Sequence, residues 1–228
     1  MGYDGKGQLQ VGNLEQAQDA FRQLGEKPCV LEEMVELERE ISVILVRAID
    51  GAMTVYPVGE NRHRNGILDT TSVPATVTAD VVNEATGMAR RLADAMDYCG
   101  VLAVEFFCTS QGELLINEIA TRPHNSGHYT VDACATSQFE QQVRVMCGMP
   151  PGDASLHSPV VMTNLLGDIW SAGEPSWQAV LGQPQAHLHL YGKSEARPGR
   201  KMGHINCLAD STTAALELVA GIRKALNF

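Results

Sequence analysis

The chain has 228 residues, of which 44% are hydrophobic and 19% are charged, and it carries a formal net charge of −10 with a sequence pI near 5.1. A chain of this size can bury a sizeable core, and no apolar run is long enough to cross a bilayer, which argues against a membrane protein. The negative charge argues against a nucleic-acid-binding surface.

The cysteine pattern bears on the cellular compartment. The six cysteines form no CxxC pair and lack the density of a small secreted scaffold. Met1 is followed by polar, glycine-rich sequence, which does not predict a signal peptide. We therefore expect reduced thiols in a cytoplasmic protein. The six residues are Cys29, Cys99, Cys108, Cys134, Cys147 and Cys207.

The amino-terminal part begins with a glycine-rich loop at residues 2–8. Asn13 then predicts the cap of a helix that ends at Gly25, and residues 29–31 predict a buried strand. The next apolar runs, residues 40–48 and 53–58, flank Asp50-Gly51 and predict a hairpin. Together these elements already mix helix and strand.

The rest of the chain continues this mixture. Residues 80–98 have apolar side chains at helical spacing, and residues 137–146 predict a second helix. Strands are predicted at 160–166 and 186–191, and a closing helix at 212–226. The absence of a regular βαβ rhythm favours an α+β fold. Pro150-Pro151 suggests a boundary, with a first domain at residues 1–155 and a small β-rich domain at 156–228.

Two carboxylates near the middle of the chain are placed symmetrically about the turn-forming pair Gln111-Gly112. If the flanking residues form a hairpin, Glu105 lies opposite Glu118. Because the neighbouring residues are apolar on both faces, water would screen the repulsion poorly, and a cation should be needed between the carboxylates. Oxygen ligands suit Mg²⁺, which commonly bridges carboxylates and nucleotide phosphates.

A polar loop follows the second of these carboxylates. Arg122 offers donors for a phosphate or carboxylate, His124 and His128 can carry protons near neutrality, and Asn125 is both donor and acceptor. A protein core does not require this composition. The loop is therefore predicted to hold a small polar substrate beside the metal.

Several motifs now form a recognisable series: YDGKGQ, LEE with a later Glu40, ENRHRNGI, VEFF, INE, RPHNSGH and RPGRKMGH. From Tyr3 to about His204 this series resembles the 5-(carboxyamino)imidazole ribonucleotide synthetase family of ATP-grasp enzymes. The resemblance implies a partial ATP-grasp fold that uses ATP and Mg²⁺ to carboxylate 5-aminoimidazole ribonucleotide with bicarbonate, through carboxyphosphate, in purine biosynthesis. It also implies a homodimer.

The resemblance assigns roles to individual residues. It implies that Tyr3 and Lys6 help to place bicarbonate, although the family often has Arg where Lys6 stands. It implies that Arg122, His124 and Asn125 hold carboxyphosphate and that Glu105 and Glu118 bind metal. Residues implied to bind the nucleotide are Gly2, Tyr3, Asp4, Gly5, Lys6, Gly7, Gln8, Glu32, Glu33, Met34, Val35, Glu40, His63, Asn117 and Glu118.

A basic segment near the carboxy-terminus, residues 191–204, stands out in an acidic protein. Its local positive charge should attract a compact anion. The family match implies that it binds the ribonucleotide 5′-phosphate, chiefly through Lys193 and Arg200. The same segment contributes Arg197, Lys201 and His204.

Measured against the family, roughly the first third is absent, so we expect an amino-terminally truncated chain that is inactive by itself. Two other hypotheses remain open. The protein could be another ATP-grasp ligase that joins a different acid and amine. Alternatively, the chain could be a non-catalytic module that contributes a dimer interface.

Overall fold

The computed structural model describes residues 7–228. The predictions for residues 2–6 of the glycine-rich loop therefore lie outside the described part. Gly7 and Gln8 are described, and both are exposed. No helix in residues 7–228 is both long enough and apolar enough to cross a membrane.

Within residues 7–228, one antiparallel sheet of nine strands forms the centre of the fold, in the order β6-β5-β1-β3-β4-β7-β9-β8, with the short β2 paired to β1. The α+β prediction is confirmed. The strands are β1 Leu37–Arg47, β2 Met53–Val55, β3 Gly59–Arg64, β4 Ile67–Val73, β5 Gly100–Thr109, β6 Leu114–Ala120, β7 Val160–Leu166, β8 Ala186–Leu190 and β9 Lys201–Leu208.

In the described part of the chain six α-helices surround the sheet, and the predicted helices all form. Asn13, Ser137 and Ser211 cap three of them by accepting a hydrogen bond from a backbone N–H of the first turn. The helices are α1 Leu14–Gln23, α2 Ala79–Ala95, α3 Thr130–Ala133, α4 Gln138–Met146, α5 Gln178–Leu181 and α6 Thr212–Leu226. Two 3₁₀ helices occupy Asn125–Gly127 and Gly167–Trp170.

Helices pack on both faces of the sheet. Strand β1 is buried on both sides, with Ile41 and Val43 in the cluster under α2, and Ile44 in the opposite cluster with residues of α3 and α4. Ala85, Ala89 and Ala93 of α2 recur every four residues and are fully buried, which lets the helix approach the sheet closely. The helix α6 covers β7 and β9.

The structure differs from the sequence prediction at residues 29–31, which form no strand. Val30 is 85% exposed and Leu31 80% exposed, so within residues 7–228 no neighbouring strand covers them. Strands β3, β4 and β9 were not predicted. Most side chains of β3 are polar, yet Asn65 and Gly66 both have positive φ and connect β3 to β4 as a two-residue hairpin turn.

The carboxy-terminal strands extend the same sheet, because β7 pairs directly with β4. A polar contact reinforces this junction on the α6 side. Arg223 donates two hydrogen bonds to the Asp69 carboxylate, at 2.9 and 2.6 Å, and a third to Thr163 Oγ1 at 2.6 Å. Both charged side chains are mostly buried, at 16% and 22% exposed. The pair therefore joins α6 to both β4 and β7.

Replacing Arg223 with Leu should lower the free energy of unfolding by about 2–4 kcal/mol, because Asp69 would be left largely buried without its partner. Urea denaturation followed by circular dichroism measures this change. Arg144→Leu is the matched control, since Arg144 pairs with Glu140 on the exposed face of α4, and it should cost about 0.5 kcal/mol or less. Equal losses in the two variants would contradict the proposed importance of the Arg223–Asp69 pair.

Candidate functional site

The two central carboxylates face each other across the β5–β6 hairpin, as the sequence predicted. Glu105 pairs with Glu118, and the preceding pair is Val104 with Ile119. The register then shifts by one residue, so that Phe106 pairs with Ile116 and Asn117 is the extra residue of a bulge. The predicted pairing of the acidic residues is thus correct, although the register nearer the turn is shifted by one residue.

The surroundings of the two carboxylates are less symmetric than predicted. Glu105 is 8% exposed, whereas Glu118 lies on the edge strand β6 and is exposed. Leu115 is 38% and Ile116 43% exposed, so the hairpin is not apolar and dry on both faces. Water can therefore screen Glu118, and burial acts mainly on Glu105.

Burial raises the pKa of Glu105 to about 7. The positive charge of His63 opposes this rise, while the negative charges of Glu118 and Glu40 add to it. In the absence of a cation, the folded protein therefore favours a protonated Glu105 up to near-neutral pH.

His124 brings a third potential ligand to the carboxylates. Its Nδ1 lies 3.5 Å from Glu105 Oε1 and accepts a hydrogen bond from the Ser126 backbone N–H. One ligand atom from each of Glu105, Glu118 and His124 lies within 4.8 Å of the others. Burial, followed by the positive charges of Arg122 and Lys201, lowers the pKa of His124 to about 3, so its imidazole is neutral at pH 7.

This donor set fits a divalent cation. In an octahedral site with bonds of about 2.1 Å, neighbouring ligand atoms are about 3.0 Å apart and opposite ones about 4.2 Å. His124 Nδ1 and Glu105 Oε1 are 3.5 Å apart, close to the separation of neighbouring ligand atoms, and the three ligand atoms all lie within 4.8 Å of one another. Two carboxylates satisfy the oxygen preference of Mg²⁺, and the neutral imidazole of His124 adds no positive charge beside them.

A further carboxylate, Glu40 of β1, lies on the same face of the sheet as Glu105 and contacts His63 of β3. His63 Nδ1 lies 2.7 Å from Glu40 Oε2. Burial lowers the pKa of His63, but the hydrogen bond and charge of Glu40 outweigh burial and raise the pKa above its usual value. The ion pair with Glu40 therefore fixes the His63 side chain on β3.

Sequence analysis missed two buried polar residues on this face. Ser42 pairs with Glu105, and Asn61 pairs with Glu40, so each side chain lies on the same face as its acidic partner. Ser42 Oγ and Asn61 Nδ2 are buried and make no hydrogen bond within residues 7–228. Such atoms are satisfied by a ligand or by water. Alternation from Glu40 along β1 could have identified Ser42.

Gln138 of α4 supports the loop that carries His124. It accepts a hydrogen bond from the His124 backbone N–H at 2.9 Å, donates to the His124 carbonyl at 2.7 Å, and lies 3.0 Å from His128 Nδ1. Gln138 is fully buried. Its amide thus fixes both the backbone and a side chain of the loop.

Asn125 and Arg122 differ in how firmly the structure holds them. Asn125 exchanges two amide hydrogen bonds with Asn164 of β7, at 2.9 and 2.6 Å. Arg122 is exposed, and among the described residues it donates to the carbonyl of the adjacent Pro123. Asn125 is therefore fixed, whereas the guanidinium of Arg122 remains accessible to a ligand.

The basic segment divides into two parts. Lys201 is half-buried, and its charge lowers the pKa values of Glu105, His124 and His128, which places it beside the carboxylate site. Lys193 lies over the Tyr191 ring and donates to the Lys201 carbonyl, with its pKa lowered by burial and by Arg200 and Lys201.

Two arginines of this segment lie further from the carboxylates. Arg200 donates to the Glu195 carbonyl at 2.8 Å. Arg197 is 72% exposed and pairs with the Glu195 carboxylate. The structure therefore brings Lys193 and Arg200 close to one another and leaves Arg197 at the surface.

A histidine cluster, which the sequence did not predict, adjoins this segment. Asp132 accepts hydrogen bonds from His189 Nε2 at 2.7 Å and from Asn206 Nδ2 at 2.6 Å. His189 stacks on His204 with ring centroids 4.5 Å apart, and Tyr191 OH lies 2.9 Å from His204 Nδ1. The cluster packs α3, which follows the His124 loop, against β8 and β9.

The predicted nucleotide-binding segment lies apart from these carboxylates. Residues 32–35 form no helix or strand, and all but Val35 are exposed. A cavity of about 540 Å³ separates this segment from α1. Its lining residues are Val11, Asn13, Leu14, Ala17, Leu31, Glu32 and Glu33.

The raised pKa of Glu105 predicts a pH dependence of stability without metal. Between pH 4.5 and about 7 the folded protein binds more protons at this group than the unfolded chain does, so the stability from Glu105 falls as pH rises. This interval corresponds to about 3 kcal/mol. Glu105→Gln should therefore gain stability relative to wild type between pH 5 and about 8 in chelator-treated samples. An unchanged difference across this range would contradict the prediction.

Glu118→Gln should weaken Mg²⁺ binding at least about tenfold while leaving metal-free thermal stability level or higher, because it removes a ligand and also relieves the carboxylate repulsion. Isothermal titration and thermal denaturation measure the two effects. Glu113→Gln is the control, since Glu113 is an exposed carboxylate at the turn of the same hairpin. A marked loss of metal-free stability with unchanged Mg²⁺ binding would show Glu118 to be structural.

Known proteins resemble this chain over nearly its whole length. A family model described as the ATP-grasp domain matches residues 1–139, and one described as the phosphoribosylaminoimidazole carboxylase C-terminal domain matches residues 160–218. The N5-carboxyaminoimidazole ribonucleotide synthase of Brucella melitensis is 45% identical over 214 residues, which cover 93% of this chain and 58% of that relative.

Solved structures agree with the sequence matches. N5-carboxyaminoimidazole synthetase from Staphylococcus aureus, complexed with ADP, has a TM-score of 0.88 and 36% identity, and the match covers 97% of this chain and 59% of that one. The synthase from Aspergillus clavatus, in complex with ADP and 5-aminoimidazole ribonucleotide, has a TM-score of 0.87 and 30% identity, with coverage of 96% and 59%.

The chain spans less than two thirds of the length of each of these relatives. The two family models, the sequence identity and the shared fold nevertheless agree with the motifs and with the paired carboxylates. The chain belongs to the ATP-grasp family, and it is similar to the N5-carboxyaminoimidazole ribonucleotide synthases.

Proposed function

We propose that the protein containing this chain catalyses the ATP-dependent carboxylation of 5-aminoimidazole ribonucleotide with bicarbonate in purine biosynthesis. The observation that carries the proposal is the pairing of Glu105 with Glu118 beside His124. The relatives crystallised with ADP, and in one case also with 5-aminoimidazole ribonucleotide, support the same substrates.

The carboxylate face is proposed to receive the nucleotide and its metal. Glu105 and Glu118 would hold Mg²⁺, which neutralises charge on the transferring phosphoryl group when bound. Glu40 would accept hydrogen bonds from the ribose hydroxyls, with His63 held in place by the same carboxylate. The buried, unpartnered Ser42 Oγ and Asn61 Nδ2 support ligand binding at this face.

Two peripheral segments complete the proposed nucleotide site. Residues 32–35 would hydrogen-bond the adenine edge through their backbone, and Glu32 and Glu33 already line a cavity beside α1. The glycine-rich segment 2–8 would cover the phosphates, since backbone N–H groups of glycines approach phosphate oxygens closely. Asn117, in the bulge next to Glu118, would contact the nucleotide from the hairpin.

Bicarbonate chemistry is assigned to the polar loop. Tyr3 and Lys6 would help to place bicarbonate, and Arg122, His124 and Asn125 would hold the carboxyphosphate formed from it and shield it from water. Because His124 is neutral at pH 7, its contribution is hydrogen bonding. The positive charge that this anion needs would come from Arg122, which remains accessible, and from Lys201.

The ribonucleotide 5′-phosphate is assigned to the basic segment, with Lys193 and Arg200 as the principal contacts and Arg197 and Lys201 nearby. The proximity of Lys193, Arg200 and Lys201 supports this assignment. After burial, the charges of Arg200 and Lys201 lower the pKa of Lys193, and a bound anion would offset that repulsion. We further propose two units, residues 1–155 and 156–228, in a cytoplasmic homodimer.

The activity is tested by measuring ATP hydrolysis by the intact gene product in the presence of bicarbonate, with and without 5-aminoimidazole ribonucleotide. Stimulation by the ribonucleotide, together with formation of its carboxylated product, supports the proposal. Hydrolysis that responds instead to a different amine would assign the protein to another ATP-grasp reaction. Absence of nucleotide turnover with every amine would favour a non-catalytic role.

Lys193→Ala or Arg200→Ala should raise the KM for the ribonucleotide by about tenfold to a hundredfold, because each removes a charge-assisted hydrogen bond to the phosphate. The KM for ATP should hardly change. Lys224→Ala controls for diffuse electrostatic attraction, since Lys224 is an exposed cation on α6. Equal increases in KM for ATP and for the ribonucleotide would contradict the prediction and indicate that this segment is a solvated basic loop.

A further inference from the structure

Asn164 connects the carboxy-terminal strands to the polar loop by side-chain hydrogen bonds. It lies on β7, is 2% exposed, and pairs in the sheet with His204 of β9. Its Nδ2 donates to the Leu68 carbonyl at 2.7 Å and to Asn125 Oδ1 at 2.6 Å, while its Oδ1 accepts from Asn125 Nδ2 at 2.9 Å. All of its N–H donors are therefore used.

The Leu68 carbonyl determines how both amides are oriented. A backbone carbonyl can only accept, so the NH₂ group of Asn164 must face it. Asn164 then presents one N–H and one carbonyl oxygen to Asn125 in fixed positions. Asn125 can pair with them only if its Oδ1 faces the N–H and its Nδ2 faces the oxygen, as observed. If either amide were flipped, an N–H would face an N–H and an oxygen would face an oxygen.

This arrangement also fixes what Asn125 has left for a ligand. Its amide nitrogen carries two N–H donors, and Asn164 uses one of them. The remaining N–H is a donor of fixed orientation, next to His124 at the carboxylate site. A fixed donor suits an anionic oxygen and does not suit the hydrogen atoms of an amine.

We propose that Asn164 is a positioning residue that fixes Asn125 with one amide N–H directed to an anionic substrate group, an assignment that rests on the function proposed above. Asn164 itself touches no substrate and acts through Asn125. The anion is the carboxylate or phosphate oxygen of the activated bicarbonate. Through this contact, β7 of the carboxy-terminal segment takes part in substrate selection at the amino-terminal carboxylates.

A double-mutant cycle in the intact protein tests this coupling. Asn125→Ala removes the donor, and the isosteric Asn164→Asp removes both N–H groups that orient it. Each should lower kcat/KM for bicarbonate about tenfold to a hundredfold, and the double variant should be no worse than Asn125→Ala alone. Losses that multiply in the double variant would overturn the proposal, since Asn164 would then act independently of Asn125.

Thr163→Val provides the matched control. Thr163 is the fully buried neighbour of Asn164 and points to the opposite face of β7, where it accepts from Arg223. This variant should lose stability without changing kcat/KM for bicarbonate. A loss of kcat/KM equal to that of Asn164→Asp would show that damage to β7 alone is sufficient and would overturn the proposal. If Asn164→Asp does not fold, Asn164→Ala replaces it in the cycle.

Side-chain amide exchange separates failure of this proposal from failure of the proposed function. In ¹⁵N-labelled wild type, the Asn125 NH₂ protons should exchange more slowly than in the Asn164 variant. Equal exchange rates would contradict the amide pairing and overturn the proposal even in an active enzyme. Slow exchange in a protein without ribonucleotide-dependent turnover would instead contradict the proposed function.

Discussion

The charge arrangement around Glu105 constrains the rest of this structure. A buried, ionised carboxylate opposite a second carboxylate is electrostatically unfavourable, and two effects reduce this cost. Glu105 binds a proton more readily, with its pKa raised to about 7, and the positive charges of His63 and Lys201 stabilise its ionised form. These two cations come from β3 and β9, so the balance at Glu105 depends on strands far apart in sequence.

The neutral state of His124 follows from the same balance. Burial penalises its protonation most strongly, and the positive charges of Arg122 and Lys201 add to that penalty. The neutral imidazole adds no positive charge beside the carboxylates, and its Nδ1 accepts a hydrogen bond from the Ser126 backbone N–H. Two carboxylates that converge in this way are stabilised by a cation, which links the electrostatics of the site to metal binding.

The loop after β6 is held from both sides by neutral amides. Gln138 holds its backbone from α4, and Asn164 holds Asn125 from β7. Neutral amides can fix a geometry in a buried site without adding to its charge. The carboxy-terminal strands therefore contribute to this site directly, and the Arg223–Asp69 pair strengthens the same junction from the opposite face.

The sequence by itself determined the local features: the cap at Asn13, the amphipathic α2, and the opposition of Glu105 and Glu118 across a turn. These depend on residue spacing and short-range hydrogen bonds. Only the tertiary structure decided the bulge at Asn117, the strands β3 and β9, and the pairing of Asn125 with Asn164, because each depends on contacts that residue spacing does not specify. Residues 29–31 illustrate the limit, since their apolar pattern predicted a strand although residues 7–228 provide no neighbouring strand to pair with it.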